Sequence, residues 1–387
     1  MLPSEQERAR ALLARNLKEE REAARERKKG KEPKSTRQTT LLVNTLREAA
    51  EQKCPADMLH RLAAILAEVA VRPSFERGLL GSPGEIVVGG DGTPLPTGAS
   101  RVGRKPADDG GERRLRIYAD PDAQWGWDSH RDRFYFGHHA YEFCALGAGH
   151  DLPIFLRLDP ANRSEKLASL EAFDQMRKLY AERIPELHLD YLVQDAGHDS
   201  EWHWRYPMSF GVTPVIPLAT ASPAEHPVRR AVQLSPKGLP LCPGMAEMTP
   251  WGAFDGRRMF VCPKKAGSIE VCPRAPDEEP DWCCRPEAKF APSLSLSIEQ
   301  NPRLTPPIPR DTRRWKKLYA LRSGCERSNA VKKETFGLEQ AKHRRHSFWL
   351  IRMVLMAILQ HAKAWRAQRG KDSVVAELLA GVARRAA

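Results

Sequence analysis

The sequence predicts an α/β fold: a mixed sheet flanked by helices, interrupted by a β or irregular insertion and preceded by a helical N-terminal region. Three observations carry this. Short strand-like runs ("DRFYFGHHAYEF", "LPIFLRLD", "HLDYLVQ") surround a helical run at 164–180, a mixed order that builds a sheet covered by helices. The stretch 219–310 is rich in Pro, Cys and Gly, with few periodic runs. Helical periodicity resumes at about 311 and continues to the basic C-terminus. The expected divisions are therefore 1–80, a basic helical region; 81–218, the first part of the sheet core; 219–310, the insertion; and 311–387, the C-terminal helices of the core.

In chain order, "EQERARALLARNLKEEREAARERKKGKEPK" is charged nearly all round, a solvated helix or a basic arm. Between Pro55 and Pro73, Leu59, Leu62, Leu66 and Val69 recur at helical spacing and predict an amphipathic helix. "GEIVVGGDGTPLPTG" predicts a short buried strand broken by Gly89, Gly90 and Gly92. "RLRIYAD" adds a further strand before the two aromatic and aliphatic ones. Leu167, Leu170, Phe173 and Met176, in steps of three, mark the helix from about Ser164 to Tyr180. "FWLIRMVLMAIL" (348–359) is too short to span a bilayer, carries Arg352, and predicts a buried helix, with a break expected near Arg369 and Gly370.

With 62 Lys+Arg against 49 Asp+Glu, a formal charge of +13 and a pI near 9.5, the chain favours an acidic partner, nucleic acid first. The charged first thirty residues lack an apolar signal core, so secretion is not expected. A cytoplasmic, nucleoid-associated protein without a membrane span is. Eight irregularly spaced cysteines in 387 residues do not make a disulfide scaffold.

"YALRSGCERSNAVKK" (319–333) spaces Tyr319, Arg322, Glu326 and Lys333 by three, four and seven. At roughly 100° per residue, one continuous helix would gather all four in a narrow stripe. Cations beside a carboxylate and an aromatic ring suit a polyanion together with a metal ion. Two further acids stand at expected strand ends, Asp91 in "VVGGDGT" and Asp195 in "YLVQDAGHD", where catalytic groups of α/β sheets converge. Three carboxylates would offer Mg²⁺ the hard oxygen ligands it prefers. Each acid also has a plain structural reading, as turn, cap or surface ion pair. Asp120 and Asp122 in "IYADPDA" also follow an expected strand, and strand pattern alone does not choose between them and Asp91.

In their order, "GDGT", "DPDAQWGWDS", "FYFGHHAYEF", "DAGHD" and Tyr-x-x-Arg-x-x-x-Glu-x-x-x-x-x-x-Lys resemble the DDE transposases of bacterial insertion sequences, over about residues 55–365. The resemblance implies a ribonuclease-H-like fold with an insertion between the second Asp and the Glu. It implies Asp91, Asp195 and Glu326 as the catalytic acids holding two Mg²⁺ (or Mn²⁺) ions, with the "DGT" context favouring Asp91 as the first. Tyr319, Arg322 and Lys333 would bind DNA, the partners being terminal inverted repeats and target DNA, with a homodimer on the DNA. The implied activity is cleavage at the element's ends and transfer of the freed 3′-hydroxyl into target DNA. The alternative is a catalytically inactive or repurposed DNA-binding protein of the same descent, which the lack of a convincing N-terminal helix-turn-helix pair favours.

Of the remaining residues, Trp125 and Trp127 are expected to be core or packing residues. Cys242, Cys262, Cys272, Cys283 and Cys284 are numerous enough for four thiolates to close a tetrahedral zinc site, but they contain no Cys-x-x-Cys knuckle, and scattered unligated thiols are expected ahead of a structural zinc. His138, His139, His343 and His346 are expected in core or phosphate-facing roles, not as metal ligands.

Overall fold

The computed structural model describes residues 34–49, 57–102, 118–219, 225–226, 232–235, 237–273 and 292–386. The charged stretch 1–33 and most of "RLRIYAD" lie outside them, as do Cys283 and Cys284. Two compact units divide the chain, Met1–Leu192 with Leu321–Ala387, and Val193–Ala320. Both mix strands with helices, so the chain is α/β as expected.

The first unit is organised on the long strand β3 (Arg133–Leu146). It pairs antiparallel with β1 (Val87–Pro96) on one side, and with β2 (Gln124–Asp128) and then β4 (Leu152–Pro160) on the other. β5 (Tyr191–Val193) lies beside β1, where Asp190 and Tyr191 N–H groups both donate to the Ile86 carbonyl at 3.1 Å. From Ala140 onward β3 is buried residue after residue, as is most of β4. Such runs belong to strands covered on both faces. The covers are α4 (Glu165–Arg183), which packs on β3 and β4, and α7 (Ser323–Ala330) with α8 (His346–Ala386). Tyr141, Phe143, Phe155, Phe173, Met176, Trp349 and Met353 form the core between them.

The glycines of β1 do not break it. A Cβ on Gly89 would fall on Cys325 Sγ of α7, so the missing side chain lets that helix approach the strand closely. Two other expectations fail. After α1 (Lys34–Glu48), a helix runs from α2 (Met58–Leu66) through a π turn at Ala67–Val71 into α3 (Arg72–Glu76), passing Pro73. The π turn holds extra residues, which shifts the phase and leaves Val69 exposed while Ala70 and Val71 are buried. α8 runs through Arg369 and Gly370 without a break. It is also buried on one side only, with Phe348, Ile351, Leu355 and Leu359 forming an exposed stripe.

Trp125 and Trp127 are not core residues, being 46% and 50% exposed. They pair across the β2–β3 hairpin with Phe136 and Phe134, at ring distances of 5.6 and 4.8 Å. Cross-strand aromatic pairs of this kind stabilise a sheet face that is partly exposed.

His361 of α8 is fully buried, within 2.7 Å of Ser74 Oγ and 2.8 Å of the Pro153 carbonyl. Burial pushes its pKa down from 6.5 to about 4; the Pro153 hydrogen bond opposes this, while Lys332 and Glu142 act in opposite senses. Between those pH values the unfolded chain binds a proton that the folded chain refuses. Stability from this group is therefore complete above pH 6.5 and declines as pH falls towards 4, by about 3 kcal/mol at most. Urea unfolding of a His361→Gln variant should show a shallower loss between pH 7 and 4 than the parent. Equal slopes would remove His361 from the acid sensitivity.

In the second unit, α5 (Glu201–Met208) and β6 (Thr213–Val215) follow Asp195. Trp204 is buried under the Arg310 guanidinium, 5.0 Å from its ring. Burial lowers the Arg310 pKa to about 10 against the opposing pull of Asp199. Arg303 grips Asp199 with two hydrogen bonds of 3.0 and 2.8 Å. The Cys- and Pro-rich stretch contains the short pair β7 (Glu225–His226) and β8 (Val232–Gln233). It also contains an antiparallel sheet of β9 (Thr249–Phe254), β10 (Arg257–Val261) and β11 (Ser293–Ser297), with β10 central. α6 (Arg313–Ala320) closes the unit.

Among the described residues, no helix is long and apolar enough to cross a membrane.

Candidate active site

Asp91 sits in the middle of β1, directly opposite Glu142 of β3, and cross-strand partners share a sheet face. That face meets α7. Asn329 of α7 donates from Nδ2 to Asp91 Oδ2 at 3.1 Å, joining residues 238 apart in sequence. Glu326 precedes Asn329 by three positions on the same helix and therefore lies on the same side, one turn earlier. The strand acid and the helix acid are thus carried by adjoining elements. Glu326 is largely exposed and accepts a hydrogen bond from Arg322.

The single helix expected over 319–333 is not formed. α6 ends at Ala320, Leu321 and Arg322 make a turn, α7 begins at Ser323, and a π turn occupies Val331–Thr335. The common stripe is therefore lost, because a break and a π turn each change the angular phase that spacing assumes. Tyr319 belongs to the second unit and stacks on Trp315 at 4.8 Å. Lys333 is partly exposed, its Nζ 4.0 Å from Glu339.

The π turn directs the preceding lysine to the sheet. Lys332 and Glu142 are 0% and 3% exposed at their side chains and form an ion pair of 2.7 Å. Lys332 also donates to Ser328 Oγ at 2.9 Å, and Ser328 in turn donates to Glu142 at 2.7 Å. Gln360 of α8 donates to Ser328 Oγ at 3.2 Å, and the Cys144 thiol to Glu142 at 3.0 Å. Burial holds that thiol well above its ordinary pKa. This network fastens α7 and α8 to β3 beneath Asp91. Neither Lys332 nor Glu142 was expected from the sequence. The available signal was a lone carboxylate in the apolar run "AYEFCAL", which burial obliges to find a partner.

Asp120 is fully buried, accepting from Thr97 Oγ1 at 2.7 Å and lying 2.9 Å from His138 Nε2. Desolvation lowers the His138 pKa, with Asp120 opposing it. This is a structural pair that anchors the loop before β2. Asp122 is exposed. His346 Nε2 lies 3.0 Å from the Leu158 carbonyl.

Asp195, in the second unit, leads into a 3₁₀ turn at Ala196–His198 and lies 2.7 Å from His198 Nδ1. Its carboxylate is 45% exposed.

The acids are of the oxygen-donor type that Mg²⁺ takes, and the buried oxygens Glu142 Oε2 and Asn329 Oδ1 have no hydrogen-bond partner among the described residues. Yet Asp91 is engaged by Asn329, Glu326 by Arg322 and Asp195 by His198. Among the described residues, no three His, Cys, Asp or Glu side chains are grouped to hold an ion. Asp91 and Glu326 are thus held by side chains that a bound metal would have to displace.

Neither the family models nor the curated proteins compared with the chain gave a match.

Proposed function

We propose that the chain is a DDE-type DNA transposase with a ribonuclease-H-like core, cleaving at the ends of a mobile element and joining the freed 3′-hydroxyl to target DNA. Asp91, Asp195 and Glu326 are its catalytic acids, Mg²⁺ or Mn²⁺ its cofactor, and a homodimer on DNA in the cytoplasm its working form. The observation that carries the reading is the Asn329–Asp91 hydrogen bond, which sets the helix of Glu326 against the strand of Asp91. Support also comes from the strand order, in which β1 and β4 both pair antiparallel with β3 and the next strand, β5, returns beside β1. The ordered motifs and the +13 charge point the same way.

The test is cleavage of a plasmid carrying the DNA that flanks the gene, with and without Mg²⁺. Metal-dependent cuts at inverted repeats are expected. Binding without cuts would favour the second reading, a DNA-binding protein that no longer catalyses. That reading has its own observation, the engagement of each acid by a neighbouring side chain.

Tyr319, Arg322 and Lys333 are the proposed DNA contacts. Replacing Arg322 or Lys333 by Ala should reduce the slope of log affinity against log salt by about one unit each. Glu326→Gln releases Arg322 from its ion pair and should tighten metal-free binding while removing cleavage. Unchanged slopes in both Ala variants would take these cations off the DNA.

A further inference from the structure

The second unit holds a cluster of thiols that the proposed chemistry does not use. Cys242, Cys262 and Cys272 come from three separate segments and line one cavity of about 10 Å³, with Pro243, Pro263 and Lys264 also in its wall. That is room for about one water-sized particle. No carboxylate or imidazole is among the lining residues. All three cysteines are free thiols, and each is followed by proline. We propose that this cavity is a structural zinc site with Cys242, Cys262 and Cys272 as thiolate ligands, independent of the transposase reading.

The backbone prepares two of the three for this role. Cys242 opens a tight turn, its carbonyl accepting from Met245 N–H at 2.8 Å, while its own N–H donates to the Ala246 carbonyl at 2.9 Å. Cys262, just after β10, opens a second turn by accepting from Ala266 N–H at 2.9 Å, and its N–H is held by the Pro292 carbonyl at 3.0 Å. A turn starting at the ligand projects the thiol away from the strand and fixes its origin, and proline after the cysteine stiffens that turn.

The packing around the site gives the metal a reason. The cluster under the three-stranded sheet consists of Leu239, Cys242, Met248, Phe260 and Leu296, with Ala246 and Leu294 packed against it. Zinc would tie Cys242 of this small cluster to the segments carrying Cys262 and Cys272. The thiols line the cavity without forming a closed ligand group. Neutral thiols have little to draw them together, whereas zinc binding removes their protons and supplies that attraction, so site closure and metal binding are coupled. A water or another group of the chain would take the remaining position of the tetrahedron.

The experiment measures zinc in the full chain purified without chelator, by elemental analysis. About one zinc per chain is expected, as for a structural site, with loss in Cys242→Ser, Cys262→Ser and Cys272→Ser but retention in Cys262→His, which keeps a zinc donor. Since a serine variant could misfold, the parent is also exchanged with Co²⁺, where a strong thiolate-to-cobalt charge-transfer band is expected. Three outcomes overturn the proposal: no zinc and no cobalt band in the parent, full zinc in all three serine variants, or a disulfide between any two of these cysteines in a non-reducing peptide map.

Discussion

Lys332→Met should destabilise the first unit by about 3–5 kcal/mol, the usual cost of removing one partner from a buried ion pair. The cost arises because Glu142 would lose its cation partner at a site 3% exposed to solvent, where Ser328 and the Cys144 thiol remain as hydrogen-bond donors. The complementary expectation separates this from simple loss of packing. A double variant, Lys332→Met with Glu142→Gln, no longer strands a charge and should recover most of the loss, since isosteric removal of a buried pair is often near neutral. Urea unfolding of the two single variants and the double gives the coupling directly. Additive losses would mean that the two residues contribute separately, and that the network does not fasten α7 to β3 as described.

That pair also shows where sequence patterns stop informing. β3, β4 and α4 were legible because each has one dominant local period: "DRFYFGHHAYEF" and "LPIFLRLD" are dense in strand formers, and Leu167 to Met176 recur every three residues. The Lys332–Glu142 pair spans 190 positions, so no local period reports it. π turns are equally silent. Spacing arguments assume about 100° per residue, and the turns at Ala67–Val71 and Val331–Thr335 alter that step, misplacing Val69 in one helix and Lys333 in the other. Gly324 lies inside α7 and reports close packing instead of the break before it, for a Cβ there would collide with Asp151 and Leu146. The same residue type misled in β1, where glycines that admit Cys325 and the rings of β3 looked like strand breakers. Of the candidate site, the strand placement of Asp91 and the helix placement of Glu326 could be anticipated. Their link through Asn329 could not, because a single polar contact between distant segments has no sequence period.

The largest effect on activity is expected from Asp91→Asn, set against Asp120→Asn. The substitution at Asp91 keeps shape and leaves an amide oxygen that can still accept from Asn329, so the helix stays seated and DNA binding is nearly unchanged. What it removes is the charge. If Asp91 is a catalytic acid, end cleavage should fall by at least roughly 100-fold, because even groups that only support such ligands typically cost 10–100-fold. Asp120 should behave in the opposite way. It is fully buried between Thr97 Oγ1 and His138 Nε2, so its change to Asn should lower stability by about 1–3 kcal/mol through disturbed buried hydrogen bonds, with the cleavage rate per folded molecule preserved. Asp195→Asn and Glu326→Gln should follow Asp91, each abolishing cleavage with the fold intact. Cleavage and thermal unfolding measured side by side on the four variants make the pattern decisive. Normal cleavage by Asp91→Asn together with a lowered melting temperature would make Asp91 a tether between β1 and α7 and remove it from the catalytic acids.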